Sequence, residues 1–191
     1  QAGVVGYALA YALTAEVKRA TGQAQLFSAQ SIYSEAKRHD EWPGESYEGT
    51  SVSGGLLALQ EVGAYLESDW PSGQQAPRSG TSPAQTISGF TEVDERVIPN
   101  AISWLQNNRP VVISFTVTRD FWSPQPGGRV EVDPDPEIFG GTAACVVDYD
   151  ELTEEFKLAF SWGSAWGAEG FMFISRSDLE RLAISAAVLE L

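Results

Sequence analysis

The stretch SWGSAWGAEGF, residues 161–171, places two tryptophans and three glycines at fixed intervals. It comes directly after EFKLAF, residues 155–160, where polar and apolar residues alternate as in a half-buried β-strand. Glycine-rich sequence that follows a strand is typical of a loop. The function of this loop depends on the elements that the rest of the chain places around it.

Strand signals dominate the second half of the chain. A short predicted helix, NAISWLQNN at 100–108, precedes RPVVISFTVT at 109–118, which is β-branched and mostly apolar and so predicts a buried strand. TAACVVDYD at 142–150 and GFMFISR at 170–176 predict two further strands on either side of the alternating stretch. Together these segments predict a twisted antiparallel sheet.

The first half of the chain has the periodicity of helices. VVGYALAYALTAEVKRATG, residues 4–22, predicts a long helix that stops at Gly22. In FSAQSIYSEAKRHD, residues 27–40, Ser28 is placed to cap the N-terminus of a short helix. YEGTSVSGGLLALQEVGAYL, residues 47–66, begins with small residues and predicts a third helix that extends as far as Leu66.

The order of these segments predicts the fold class. Helices first and strands afterwards indicate an α+β protein, with a helical N-terminal lobe over residues 1–70 packed on a C-terminal antiparallel β-sheet or barrel lobe over residues 85–191. The segment PSGQQAPRSGTSP, Pro71–Pro83, is the best candidate for the linker between the lobes. We therefore expect one domain over residues 1–191 with a cleft between its two lobes.

Charge excludes two classes of partner. The 191 residues contain 12 Lys and Arg against 26 Asp and Glu, for a formal net charge of −14. Such a field repels phosphate backbones and anionic lipid surfaces, so we predict binding neither to nucleic acid nor to membranes. No apolar run approaches the ~18 residues that a membrane span needs.

Cysteine content and targeting signals favour a cytoplasmic location. A single cysteine, Cys145, excludes an internal disulfide and is typical of a reducing compartment. The first residues lack the basic and then apolar order of a signal peptide. The chain opens at Gln1 almost directly into a helical pattern, as removal of an upstream segment would leave it.

Metal and cofactor binding are not predicted. The segment EVDPDPE, residues 131–137, carries carboxylates on alternate positions, as some calcium sites do. Its interleaved prolines and the absence of turn glycines do not fit a standard calcium loop. We therefore expect neither a metal ion nor another cofactor.

Four motifs, in this order along the chain, resemble the papain family of cysteine peptidases, and its bacterial branch in particular. GVVGYALAYAL at 3–13 resembles the opening of the central helix, and EGTSVSGGLLALQEVGAYLESDWP at 48–71 resembles the segment that lines the substrate-binding side of the cleft. GGTAACVVDYD at 140–150 is similar to the strand that carries the catalytic histidine. SWGSAWGAEGF matches the family's Ser-Trp-Gly-x-x-Trp-Gly-x-x-Gly-aromatic signature at every fixed position. The resemblance covers nearly the whole chain.

The resemblance also implies where catalytic residues should stand, and all three positions carry other residue types. The family needs a thiolate at the N-terminus of the central helix, a histidine, and an amide that orients it. Alignment with the bacterial pattern GSCVGFATAYAL puts Val4 at the nucleophile position, whereas a register that anchors Gln1 on the oxyanion glutamine puts Tyr7 there. The histidine position falls on Thr142 and the amide position on Phe160.

No other residue is an obvious replacement. Cys145 lies three positions after Thr142 in an apolar run and is expected to be a small core residue. His39 is the only histidine and stands in a region that the family does not use for catalysis. The lysines, Lys18, Lys37 and Lys157, fall on none of the family's catalytic positions. We predict no catalytic residue, and a hydrolase with a relocated active site remains the alternative.

The resemblance and the three replacements together suggest a pseudopeptidase that acts by binding a protein or an extended peptide. A filled cleft with another working surface, and a purely structural domain, are the other interpretations. If the cleft still binds, the resemblance implies that one wall and the floor are formed by Thr50, Ser51, Val52, Ser53, Gly54, Gly55, Gly141 and Trp162.

Overall fold

The element order agrees with helices first and strands afterwards. The computed structural model describes residues 3–40 and 48–191. Its α-helices are α1 Val4–Thr21, α2 Ala29–Ala36, α3 Val52–Glu61, α4 Val97–Gln106 and α5 Arg176–Leu182. Its strands are β1 Gly89–Val93, β2 Val111–Thr118, β3 Arg129–Val130, β4 Ile138–Asp150, β5 Glu155–Ala159, β6 Phe171–Ser175 and β7 Ala183–Glu190. Two short 3-10 helices cover Lys37–His39 and Arg119–Trp122.

The chain divides into two compact units. A helical unit comprises Gln1–Thr91 with Leu189–Leu191, and a β-rich unit comprises Glu92–Val188. The division falls later than the segment Pro71–Pro83, because hydrogen bonds hold the following residues in the helical unit. The Ile87 N–H donates to the Leu59 carbonyl at 3.2 Å, and the Ser88 N–H donates to the Glu190 carbonyl at 2.7 Å.

The helices of the first unit begin and end where their capping residues dictate. Gly22 takes a left-handed conformation after α1 and donates its N–H to the Lys18 carbonyl, as predicted. Ser28 caps α2 by accepting a hydrogen bond from the Ser31 N–H, also as predicted. The prediction that the third helix reaches Leu66 was wrong, because α3 ends at Glu61. Within residues 3–40 and 48–191, no helix is long and apolar enough to cross a membrane.

Glycine explains both the end of α3 and the close approach of α1 to its neighbours. Gly63 has φ +90°, and a Cβ there would overlap with the Gln85 carbonyl, so the chain turns away from the helix. Within the unit, a Cβ at Gly6 would overlap with the Ala29 carbonyl oxygen of α2. Glycine at this point of α1 is therefore required by backbone packing against α2.

The strands form one seven-stranded sheet in the order β1-β7-β2-β4-β5-β6-β3. Its central pairs are antiparallel, as predicted, but the short strand β3 pairs parallel with β6. The three predicted strands around the loop signature are confirmed as β4, β5 and β6, and residues 109–118 supply β2. Side chains of β2, β4, β5 and β6 form the hydrophobic core of the β-rich unit together with residues of α4 and α5.

Candidate functional site

The N-terminus of α1 is the place where the resemblance puts a nucleophile. Gly3 has extended backbone and precedes Val4, the first helical residue, and the Gly6 N–H donates to the Gly3 carbonyl at 2.9 Å. Val4 is half-buried. Tyr7 lies one turn later and donates its hydroxyl to Ser72 Oγ at 3.2 Å. Gln1 lies outside the described residues.

Thr142 occupies a buried position on β4. It stands opposite Phe115 of β2 in the antiparallel register, and only 7% of it is exposed. Its Oγ1 has no hydrogen-bond partner among the residues that the structure describes. The preceding residue, Gly141, is exposed and stands opposite Thr116. The position therefore combines a solvent-accessible backbone with an inward-facing hydroxyl that makes no polar contact.

Phe160 is the centre of an aromatic cluster inside the β-rich unit. It follows β5 directly and is 3% exposed. Its ring lies 4.8 Å from Trp162 in a T-shaped arrangement and 5.1 Å from Trp166, measured between centroids. Phe115 and Phe121 complete the cluster at 6.1 and 6.5 Å. Offset and edge-to-face ring pairs at such distances are stabilising beyond the area they bury.

Glycine conformations and one indole hydrogen bond fix the shape of the loop between β5 and β6. Gly167 has φ +61°, and a Cβ there would overlap with the Phe171 carbonyl oxygen. Gly170 accepts a hydrogen bond from the Phe160 N–H at 3.0 Å and donates to the Trp166 carbonyl at 2.9 Å. Trp166 in turn donates its Nε1–H to the Phe121 carbonyl at 3.1 Å. The tryptophans and glycines of this stretch thus fix the loop conformation that holds Phe160 in place.

A family model agrees with the sequence motifs and with this arrangement. The model of the papain family cysteine protease matches residues 8–189. The chain belongs to the papain family. No curated protein matches it.

Solved structures of papain-like proteases have the same fold. The cysteine protease xylellain from Xylella fastidiosa superposes with a TM-score of 0.82 and 19% identity, covering 98% of this chain and 79% of that one. Digestive procathepsin L 3 of the Tenebrio molitor larval midgut gives 0.79 and 17%, covering 100% and 64%. A Carica candamarcensis cysteine protease gives 0.76 and 18%, covering 98% and 87%. Identities this low show the papain-like fold alone.

None of the positions that the resemblance assigns to papain-family catalysis carries a group able to transfer a proton at neutral pH or to form a thiolate. Val4 has an aliphatic side chain, although it stands at the helix N-terminus where the dipole would stabilise an anion. Thr142 has a hydroxyl without a base beside it among the described contacts. Phe160 can neither donate nor accept a hydrogen bond from its ring plane, and its neighbours are aromatic.

The other candidate residues do not assemble a second site in the described part of the chain. Cys145 is fully buried, and desolvation raises the pKa of its thiol to about 12, so it stays protonated and unreactive near neutral pH. His39 Nε2 lies 3.6 Å from Glu61 Oε2 in the helical unit. Lys37 is paired with Asp40. Cys145 is thus a core residue, and His39 and Lys37 each lie beside an acidic side chain of the helical unit.

The two remaining lysines are also placed away from catalytic chemistry. Lys18 lies in the last turn of α1 and is exposed. Lys157 on β5 lies over the ring of Phe171, with Nζ 4.4 Å from the centroid. This cation–π contact gives Lys157 a packing role on the surface of β5 and β6.

Most of the predicted wall Thr50–Gly55 belongs to the start of α3, with Ser51 as the N-cap. Ser51 caps the helix, since its Oγ accepts from the Gly54 N–H at 2.9 Å, and the Gly55 N–H donates to the Ser51 carbonyl at 3.2 Å. Gly54 and Gly55 lie within the helix and are buried, and a Cβ at Gly55 would overlap with Leu9. The N–H groups of Gly54 and Gly55 are therefore already bonded, and the wall over Thr50–Gly55 stays a prediction.

Side chains of the same segment are largely engaged as well. Thr50 donates its hydroxyl to Asp40 Oδ1 at 2.7 Å, and Val52 is buried. Ser53 is exposed. Of the residues predicted for a binding surface, Ser53 and Gly141 are exposed, and Thr50, Ser51 and Trp162 are half-buried.

The acidic segment 131–137 does not gather ligands for a metal. Among residues 3–40 and 48–191, no group of three or more His, Cys, Asp or Glu side chains is arranged to hold an ion. Asp133 Oδ1 accepts the Asp135 N–H at 2.9 Å, and Arg181 donates to the Asp133 carbonyl at 2.7 Å. These contacts shape the turn.

Replacement of Thr142 by valine should stabilise the protein by about 1 kcal/mol. The two side chains have nearly the same shape, and the change removes a buried hydroxyl that has no partner in the described structure. Thr118→Val is the matched control, because Thr118 is fully buried and donates to Asp120 Oδ2 at 2.9 Å. Denaturant unfolding should show opposite signs for the two variants. A loss of stability in Thr142→Val would show that its hydroxyl is bonded.

Proposed function

We propose that this papain-family chain does not hydrolyse peptide bonds and acts by binding a protein or an extended peptide. One observation carries the proposal: Phe160, at the position that the resemblance assigns to the orienting amide, is 3% exposed at the centre of an aromatic cluster. A papain-type site needs a polar side chain there that hydrogen-bonds the catalytic histidine. A ring that is held by four other rings belongs to the core of the β-rich unit.

The neighbouring positions support the same conclusion. Thr142, at the position that the resemblance assigns to the histidine, is buried opposite Phe115. Cys145, the only thiol in the chain, is fully buried, with its pKa raised to about 12. Val4, Thr142 and Phe160, at the three positions that the resemblance assigns to catalysis, thus carry no thiol, imidazole or amide, which supports the proposal.

A peptidase assay of the wild-type chain tests the proposal. Purified protein is incubated with an unfolded protein substrate and with a fluorogenic peptide library across pH 4–9, and products are identified by mass spectrometry. We expect no cleavage above that of a mock purification, and no labelling by an irreversible thiol-directed inhibitor. Cleavage that disappears on a single substitution, His39→Ala or Cys145→Ala, would replace the proposal with a relocated active site.

A further inference from the structure

The geometry points to a docking edge for a basic extended peptide at the beginning of β4, residues Ile138–Gly141, with Trp122 and Phe139 as its apolar anchor. The inference rests on the proposed binding function and names a surface and a partner chemistry for it. We call this surface the β4 edge. All of its residues belong to the β-rich unit.

The backbone of the β4 edge is paired on one side. β2 pairs with β4 from Ile138 to Val146, whereas β5 pairs with it only from Cys145 onward. Among the described residues, no strand lies beside Ile138–Ala144 on the β5 side. Alternate residues of an antiparallel strand direct their N–H and C=O groups away from the paired neighbour. These groups are a template for an added strand.

Exposure limits the accessible part of this edge to its first four residues. Residues 138–141 are exposed, and Thr142 and the alanines after it are buried. Gly140 and Gly141 would place a Cβ in open space, with no atom within 4 Å. Glycine at two successive positions of an exposed strand lets another backbone approach closely.

Large apolar side chains stand beside this backbone. Trp122, Ile138 and Phe139 are 51%, 60% and 47% exposed. The rings of Trp122 and Phe139 meet at 85° with centroids 4.7 Å apart, and the Arg119 guanidinium lies 5.9 Å from the Phe139 centroid. Exposed aromatic rings already held in a fixed orientation lose little side-chain entropy on binding and are typical anchors of interfaces.

The negative charge around Trp122 and Phe139 favours a basic partner. Glu131, Asp133, Asp135 and Glu137 precede the β4 edge and are exposed, and Arg119 lies 3.6 Å from Glu137. The whole chain carries −14. A partner with Lys or Arg beside an apolar residue complements this surface, whereas a second copy of the chain would bring a second negative field against it.

Binding of designed peptides tests the inference. The probe is a fluorescent eight-residue peptide of alternating Leu and Lys, measured by anisotropy against the full chain. A Leu and Glu peptide reverses its charge, and a version N-methylated at every residue keeps its charge but has no backbone N–H with which to pair as a strand. We expect binding of the first peptide alone. Amide hydrogen exchange should slow at Ile138–Gly141 when it binds.

Point variants locate the site. Trp122→Ala and Phe139→Ala should each weaken binding of the Leu and Lys peptide about tenfold or more, as loss of an interface anchor does. Leu152→Ala is the control, because Leu152 is 95% exposed and lies in the turn after β4. It should bind as the wild type does. Circular dichroism confirms that each variant is folded.

Four outcomes would overturn the inference. Equal binding of the N-methylated peptide would show that surface charge alone, without strand pairing, attracts the probe. Unchanged affinity in Trp122→Ala would show that the peptide binds elsewhere. Absence of binding by the Leu and Lys peptide would exclude the partner chemistry. Self-association of the wild type that Trp122→Ala abolishes would identify a second copy as the occupant. Cleavage of the probe, read by mass spectrometry, would instead contradict the proposed function.

Discussion

Replacement of Phe160 by asparagine should destabilise the protein by about 3–5 kcal/mol, even though asparagine is the residue type that the resemblance implies at this position. Phe160 is 3% exposed, and its ring lies within 6.5 Å of the centroids of four other aromatic rings. Removal of a buried phenyl group costs about 3–5 kcal/mol through lost transfer free energy and the cavity left behind.

The introduced amide adds to this loss. Its oxygen and its two N–H groups would be surrounded by the rings of Phe115, Phe121, Trp162 and Trp166, which offer no conventional hydrogen-bond partner. A buried polar group without partners costs about 1–3 kcal/mol. The two effects act in the same direction, so we expect the upper part of the range.

Thermal and denaturant unfolding of Phe160→Asn measure the effect. A loss of 3 kcal/mol corresponds to a decrease in melting temperature of about 6–12 °C for a chain of this size. Phe139→Asn is the matched control, since it makes the same chemical change at a phenylalanine that is 47% exposed. That variant should unfold near the wild-type temperature. A Phe160→Asn protein as stable as the wild type would show that the ring is not part of the core.

The triple variant Val4→Cys, Thr142→His and Phe160→Asn should have no detectable peptidase activity. It restores the three residue types that the resemblance implies, but catalytic groups act only when surrounding side chains hold them to within about 0.5 Å. Position 142 is buried opposite Phe115, so an imidazole must displace packed side chains. At position 160 the smaller asparagine leaves a cavity among the surrounding rings, so no packing holds its amide toward residue 142.

A fluorogenic peptide substrate and a thiol-directed irreversible inhibitor measure the outcome. The single variant Val4→Cys serves as a control for the reactivity of the introduced thiol alone. Both proteins are assayed at a temperature where circular dichroism shows native structure, because the triple variant contains the destabilising change at Phe160. Turnover that is lost when any one of the three positions returns to its wild-type residue would contradict the prediction.

Some features of this protein could be predicted from local sequence because local physics determines them. The hydroxyl of Ser28 and the left-handed Gly22 terminate helices through contacts within a few residues, and both were predicted correctly. The glycines of the loop signature also act locally, because their left-handed or sterically restricted backbone closes the turn before β6. The helix α5 and the strand β7 were not predicted. The sequence ISAAVLE at 184–190 lacks the regular alternation that predicts a half-buried strand.

Family membership, the order of helices before strands and the lack of a second thiol are properties of the sequence itself. The environment of the replaced positions is a tertiary property. Phe115 and Phe121 are distant from Phe160 in sequence, and the pairing of β2 with β4 and of β4 with β5 brings their rings to it. The free side of β4 depends likewise on where β5 stops pairing, at Cys145. Burial and edge exposure arise from contacts between residues distant in sequence, which no local pattern encodes.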